Sequence, residues 1–86
     1  MDKKTIKLIV LTNNQVLISQ IDEVSSEIGE PDCKLTEPFE LLTDETLNPW
    51  LVNFSNQNVF MISSDKILTL TDPRPTLLEK YESLIK

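Results

Sequence analysis

The chain has 86 residues and a mass of 9.9 kDa, which is enough for one small domain and too little for two hydrophobic cores. Apolar residues make up 40% of it and charged residues 26%, a composition typical of a globular protein. There is no histidine, and a single cysteine cannot form an internal disulfide, so histidine-based catalysis and Cys/His zinc sites are excluded. We expect one domain over residues 1–86, with no catalytic residue, no cofactor and no metal.

The formal net charge is −6 and the isoelectric point is about 4.4, so non-specific binding to nucleic acid or to anionic lipid is not expected. The charge is uneven, because nine acids and one base lie between Asp22 and Glu45, a local balance of −8, whereas the rest totals +2. These acids lack the alternating order of a calcium loop, which favours a solvated acidic face. No apolar run approaches the roughly 20 residues of a membrane span, and we expect a cytoplasmic protein.

The alternation of apolar and polar residues predicts five strands, at residues 5–11, 16–24, 32–42, 59–62 and 67–71. Asn13 and Asn14 predict a tight turn between the first two strands, because Asn tolerates a positive φ. Gly29, the only glycine, indicates a position with special dihedral angles in the loop after the second strand. Pro38 has no backbone N–H, so it predicts a bend in the third strand and an edge position or a bulge.

Residues 43–58 are rich in Asp, Asn and Pro, and they predict a long loop. Within it, Trp50 is interpreted as a packing anchor and not as a platform for a ligand. Cys33 lies in the third strand with no histidine to activate it, which predicts a small core residue and not a nucleophile. These features indicate a protein that is not an enzyme.

The last element is predicted as an amphipathic helix over residues 73–85, with Asp72 as its N-cap and Pro73 at the first helical position. Its apolar face is formed by Leu77, Leu78, Tyr81, Leu84 and Ile85. Tyr81 therefore reads as a packed ring and not as a catalytic hydroxyl. The predicted order is five strands followed by one helix.

Five short strands bury both of their faces most simply in a small, strongly bent barrel. Residues 6–24, an apolar strand, an Asn turn and a second strand, resemble the first motif of the Sm-like family. Residues 61–70 resemble its second motif, which has a short strand, a tight turn and a final strand. The chain also looks like the compact Sm-like proteins of marine phages (cyanophages), in which the helix comes last. The resemblance implies a mainly β fold, a five-stranded Sm-like barrel with a C-terminal α-helix.

The resemblance also implies a role in RNA metabolism, with candidate RNA-binding residues at Gly29, Ser63, Ser64, Asp65 and Lys66. Two departures from the family weigh against it. The Asp and Asn with which Sm-like proteins hold uridines correspond here to Ser25 and Gly29. The Arg-Gly pair of the second motif corresponds to Ser63 and Ser64, which leaves Lys66 as the nearest cation.

The last two strands are apolar and uncharged, so their edges are ready to pair with a neighbouring copy. The expected interface consists of Val59, Phe60, Met61, Ile62, Ile67, Leu68, Thr69, Leu70 and Thr71. Such a head-to-tail contact must close into a ring or continue as a filament, and the family precedent implies a ring of five to seven subunits. In the alternative, these strands pair only within the chain and the protein is a monomer.

With the resemblance, the sequence favours a ring that binds single-stranded RNA, in which symmetry concentrates a few donor groups. The alternative is a non-enzymatic protein-assembly module or adaptor without RNA affinity, whose acidic face and Trp50 loop bind protein. For a viral chain the compartment would be the host cytoplasm.

Overall fold

A computed structural model of the chain describes residues 5–25, 27–44, 46–51 and 56–85. Within these ranges the elements follow in the order β1 (Ile6–Leu11), β2 (Val16–Glu23), β3 (Cys33–Leu41), β4 (Leu47–Pro49), β5 (Val59–Ile62), a 3-10 turn (Ser64–Lys66), β6 (Ile67–Thr71) and α1 (Pro75–Leu84). The prediction of a mainly β fold with a C-terminal helix is confirmed. The described residues form six strands, one more than predicted.

The first hairpin forms where the sequence predicts it. Asn14 has a φ of 73°, and the Leu11 N–H donates to the Gln15 carbonyl oxygen at 2.9 Å. Both faces of β2 are buried after this turn, with Leu17 on one face and Ile18 on the other. The hairpin therefore supplies side chains to two separate clusters.

The strands form one antiparallel sheet in the order β4-β3-β2-β1-β6, and β5 also pairs with β3. Among the described residues, β5 and β6 do not pair with each other, so the sheet is open and does not close into a barrel within one chain. The reason lies in their connection, which is a 3-10 turn over Ser64–Lys66 and not the two-residue turn of a tight hairpin. After this turn, β6 joins β1 at the opposite edge of the sheet.

A break at Glu37 and Pro38 divides β3 into two halves with different neighbours. The half over residues 33–36 pairs with β5, and the half over residues 39–41 pairs with β4. Glu37 has a φ of 52°, and its N–H donates to the Asn58 carbonyl oxygen at 2.6 Å. Of the two predicted alternatives, the bulge is confirmed and the edge position is wrong, because Ile18 of β2 lies opposite Phe39 and Gln20 lies opposite Thr36, so that two residues of β3 face one of β2. Pro38 is tolerated inside the sheet because its missing N–H falls where β3 changes partner.

Strand β4 lies within the segment that the sequence predicts as a loop. The chain enters β4 after a turn in which the Leu42 N–H donates to the Thr46 carbonyl oxygen at 2.9 Å. The Asp44 carboxylate accepts the Thr46 N–H at 3.1 Å and lowers its own pKa by doing so. A strand of three residues that ends in a proline is too short to show alternation, which explains why it was not predicted.

The first of two buried clusters, which we call the inner cluster, consists of Ile9, Leu11, Leu17, Ile21, Cys33 and Leu35. Ile62 of β5 and Ile67 of β6 both pack against it. Because side chains from opposite edges of the sheet reach the same cluster, the sheet curls around it and this face is concave. Trp50 also packs there, with its ring centroid 5.5 Å from that of Phe60, which confirms its role as a packing anchor.

The second cluster, on the other face, consists of Ile18, Leu47 and Tyr81, with Leu77 and Ile85 of the helix packed against it. Tyr81 is fully buried, and its ring meets that of Phe39 edge-on at 5.7 Å. The Tyr81 hydroxyl donates to the Glu37 carbonyl oxygen at 2.9 Å and accepts the Gln20 N–H at 3.2 Å. The prediction of a packed tyrosine is confirmed, and its hydroxyl is the hydrogen-bond partner of the Glu37 carbonyl oxygen at the break in β3.

The helix begins at Pro75 and not at Pro73, and Asp72 is not its N-cap. Arg74 holds the N-cap position with an extended backbone (φ −64°, ψ 151°) and without a side-chain cap bond. The cause is steric, because a residue that precedes proline is pushed out of the helical region. Asp72 instead forms an ion pair with Lys7 of β1.

We expect the substitution Tyr81→Phe to lower the free energy of unfolding by about 1–3 kcal/mol, because buried backbone groups of β2 and β3 would lose their partner. Urea denaturation measures the change, and Glu82→Gln on the exposed side of the same helix is the control. A loss equal to that of the control would contradict this role of the hydroxyl.

Burial raises the pKa of Tyr81. The unfolded chain therefore releases the tyrosine proton first, at its ordinary pKa of about 10, and the free energy of unfolding should fall as the pH rises above that value. This pH-dependent fall in the free energy of unfolding should be absent from Tyr81→Phe. The measurement is urea denaturation of both proteins between pH 8 and 11, and parallel curves would contradict the expectation.

Candidate functional site

Three short strands of the described sheet, β4, β5 and β6, pair on one side only, and two of them, β5 and β6, carry the predicted interface. β5 bonds to β3 on one side, and β6 bonds to β1 on one side. Among the described residues, neither strand has a ladder partner on its other side. Their outward backbone N–H and C=O groups are available to another strand.

Both edges also expose apolar side chains. Eight large apolar residues of the described chain are exposed, and four of them lie on these two short strands: Val59 (39% exposed), Met61 (46%), Leu68 (64%) and Leu70 (48%). Single exposed apolar residues are ordinary on a protein surface, whereas a concentration of them on two free strand edges marks a candidate contact surface.

The register shows which face each of these side chains occupies. Leu70 lies opposite Ile9, so it shares the concave face with the inner cluster. On the other edge, Phe60 and Ile62 lie opposite Leu35 and Cys33 and share that face too. The two edges therefore offer apolar side chains on the same face of the sheet.

Leu68 is the extra residue of a bulge, because Thr69 lies opposite Val10 and Ile67 lies opposite Leu11. A bulge bends the strand and leaves one residue outside the ladder. Leu68 is accordingly the most exposed residue of the four.

A groove of about 700 Å³ opens on the concave face beside β6. It is lined by Thr5, Lys7, Ile21, Asp22, Glu23, Asp32, Cys33, Ser64 and Ile67 to Leu70. Its walls carry three carboxylates and one lysine, and Asp72 pairs with that lysine. The groove therefore repels phosphate and is a poor site for a polyanion.

The turn that carries four of the predicted RNA-binding residues connects β5 to β6. Ser64, Asp65 and Lys66 are exposed and Ser63 is half-buried. Ser64 is already engaged, since its N–H and its hydroxyl both donate to the Asp32 carboxylate, at 2.7 and 2.8 Å. These hydrogen bonds lower the pKa of Asp32, so its negative charge stands directly behind the turn.

Gly29, the fifth predicted residue, lies in the connection between β2 and β3. Its φ of 91° confirms the expected special dihedral angle, and a methyl group added there would meet no atom within 4 Å. Asp32 in the same connection contacts Ser64, so this connection and the β5–β6 turn are neighbours.

Cys33, the first residue of β3, is buried as a member of the inner cluster. Burial raises the pKa of its thiol, and the nearby charges of Asp32 and Glu23 act in the same direction. The prediction of a core cysteine is confirmed, and the thiolate needed for nucleophilic attack is disfavoured.

A search of the described ranges for three or more clustered His, Cys, Asp or Glu side chains suited to a metal ion finds none. Across the same residues, no helix combines the length and the apolar character needed to cross a membrane.

Asp32 is the residue of this region that the sequence did not single out. In the sequence, Asp32 is one of nine acids in an acidic segment. Its two hydrogen bonds to Ser64 join residues that are 32 positions apart in the chain. A contact of that separation leaves no local signal.

The fold and site define a small protein with a curled antiparallel sheet, a helix on its outer face and two free apolar edges. The chain belongs to the family described as a family of unknown function (DUF6561), which matches residues 4–86. No curated protein matches the chain.

Proposed function

We propose that the chain is a Sm-like protein whose copies join edge to edge into a closed ring, and that this ring is a non-enzymatic protein-assembly module. The observation that carries the proposal is the concentration of exposed apolar side chains on the two free edges, β5 and β6. Each copy offers one edge of each kind, so the contact is head-to-tail and closes when the rotation between copies divides a full circle.

The faces of the two edges match across such a contact. Pairing of β5 with β6 of the next copy would set Phe60 and Ile62 on the same face as Leu70. The inner cluster of one copy would then continue into the next, and burial of this apolar surface would stabilise the contact. Val59 and Met61 would lie on the opposite face, where Thr69 and Thr71 of the neighbour offer small side chains.

The order of the strands supports the Sm-like part of the proposal. The first hairpin lies in the middle of the sheet, and the last two strands occupy opposite edges although only a short turn separates them. This arrangement agrees with a strongly bent sheet that is completed by neighbouring copies.

Binding of single-stranded RNA is the second candidate, and the observation that favours it is the exposed turn with Lys66. A ring would repeat this lysine once per copy. It ranks below the assembly module because Asp22, Glu23 and Asp32 line the adjoining groove and oppose phosphate.

We expect the wild-type protein to have a mass in solution of about five to seven times the 9.9 kDa of one copy, as for a closed ring, and Leu70→Lys to weaken the contact. Because Leu70 is already about half buried, the contact can bury only about half of its surface, and loss of that burial costs about 0.7–1.5 kcal/mol, which raises the Kd about 3- to 13-fold. Leu84→Lys on the helix is the matched control, because Leu84 is 49% exposed and Leu70 48%. Light scattering over a dilution series measures the mass. A wild-type mass of 9.9 kDa at every concentration would contradict the ring.

Fluorescence anisotropy with labelled oligo-U and oligo-A separates the two candidates. For an assembly module we expect no binding in about 0.15 M salt at protein concentrations below about 10⁻⁶ M. Non-specific binding to nucleic acid has a Kd of about 10⁻⁴–10⁻⁶ M, so it would not be detected at these concentrations. Binding that is lost in Lys66→Ala and kept in Lys80→Ala would replace the assembly module by the RNA-binding ring.

A further inference from the structure

Asp32 makes an unusually complete contact for an exposed carboxylate. One oxygen accepts the Ser64 backbone N–H at 2.7 Å, and the other accepts the Ser64 hydroxyl at 2.8 Å. Hydrogen bonds to an ionised acceptor are stronger than neutral ones. The contact joins the residue that precedes β3 to the first residue of the 3-10 turn.

This turn is the direct link between the two free edges. β5 ends at Ile62 and β6 begins at Ile67, so the turn sets how the edges lie relative to each other. Its other end is fixed by the Thr12 N–H, which donates to the Lys66 carbonyl oxygen at 2.9 Å. The turn is thus tied to β3 through Asp32 and to the end of β1 through Thr12.

We infer that Asp32 is a positioning residue of the assembly, which fixes the β5–β6 turn and thereby the angle at which one copy joins the next. The inference rests on the proposed edge-to-edge contact. In a head-to-tail assembly this angle decides between a closed ring of one size and open or mixed assemblies. A small rotation of one edge relative to the other is repeated at every contact and accumulates around the ring.

The charged groups around Asp32 do not replace it in this role. Asp22 and Glu23 line the same groove but repel Asp32. Lys7 on the far wall is paired with Asp72.

The test compares Asp32→Ala with the wild type by sedimentation velocity and native mass spectrometry. We expect Asp32→Ala to form several sizes in place of one, or to raise the Kd at least 10-fold. Asp32→Asn should retain the wild-type size, because its amide oxygen still accepts the Ser64 N–H and its NH₂ group can donate to the hydroxyl. Asp22→Ala is the control, as an acid of the same groove that has no bond to the turn among the contacts described above.

A further readout separates positioning from simple stabilisation. The size distribution is measured where urea denaturation shows that each variant is fully folded, because lower stability alone would not change the size in that range. The double variant Asp32→Ala with Ser64→Ala should behave as Asp32→Ala alone, since both changes remove the same contact. A single wild-type size with a Kd within twofold in Asp32→Ala would overturn the inference.

Hydrogen exchange at the Ser64 amide keeps the inference distinct from the proposed function. Asp32→Ala should speed exchange of this amide at least 10-fold relative to Asp22→Ala. A monomeric wild type that shows this change would reject the assembly and retain Asp32 as the residue that holds the turn. Unchanged exchange would overturn that role as well.

Discussion

The break in β3 at Glu37 and Pro38 is the constraint on which the rest of the fold depends. On one side β3 pairs with β2 before and after the break, whereas on its other side it changes partner from β5 to β4. The positive φ of Glu37 costs free energy in a residue other than glycine. The Tyr81 hydroxyl offsets part of that cost, because it donates to the Glu37 carbonyl oxygen at the break and accepts the Gln20 N–H of β2. The helix therefore stabilises the bend in addition to covering apolar surface.

The bend in β3 has a direct consequence for the edges. It lets the sheet curl around the inner cluster until Ile62 and Ile67, from opposite edges, touch the same core. The turn between them closes neither edge, because the 3-10 conformation directs β6 onto β1. The fold therefore buries its core and, among the described residues, still leaves β5 and β6 without a second neighbour, which is the structural basis of the proposed assembly.

The sequence predicts those features that depend on neighbouring residues and misses those that depend on distant ones. The alternation in β2, the Asn turn and the apolar face of the helix are local patterns. The first two are confirmed, and the third is confirmed at Leu77, Tyr81 and Ile85, whereas Leu84 is 49% exposed. The sequence predicts the start of the helix two residues early, because Asp72 and Pro73 are a typical N-cap and first helical residue. The steric effect of Pro75 on Arg74 outweighs this local preference. β4 and the contact of Asp32 with Ser64 depend on partners far along the chain, which a pattern of one segment cannot show.

Identical copies with a net charge of −6 repel one another, and this repulsion opposes any assembly. The electrostatic repulsion between copies is weakest at the edges formed by β5 and β6. Neither Val59–Ile62 nor Ile67–Thr71 contains a charged residue, and the strongly acidic segment lies between Asp22 and Glu45. At physiological salt, charges farther apart than about 8 Å are largely screened, so a neutral contact strip can join copies whose other surfaces repel. The same distribution disfavours stacking of acidic faces, and edge-to-edge pairing is then the contact with the smallest electrostatic cost.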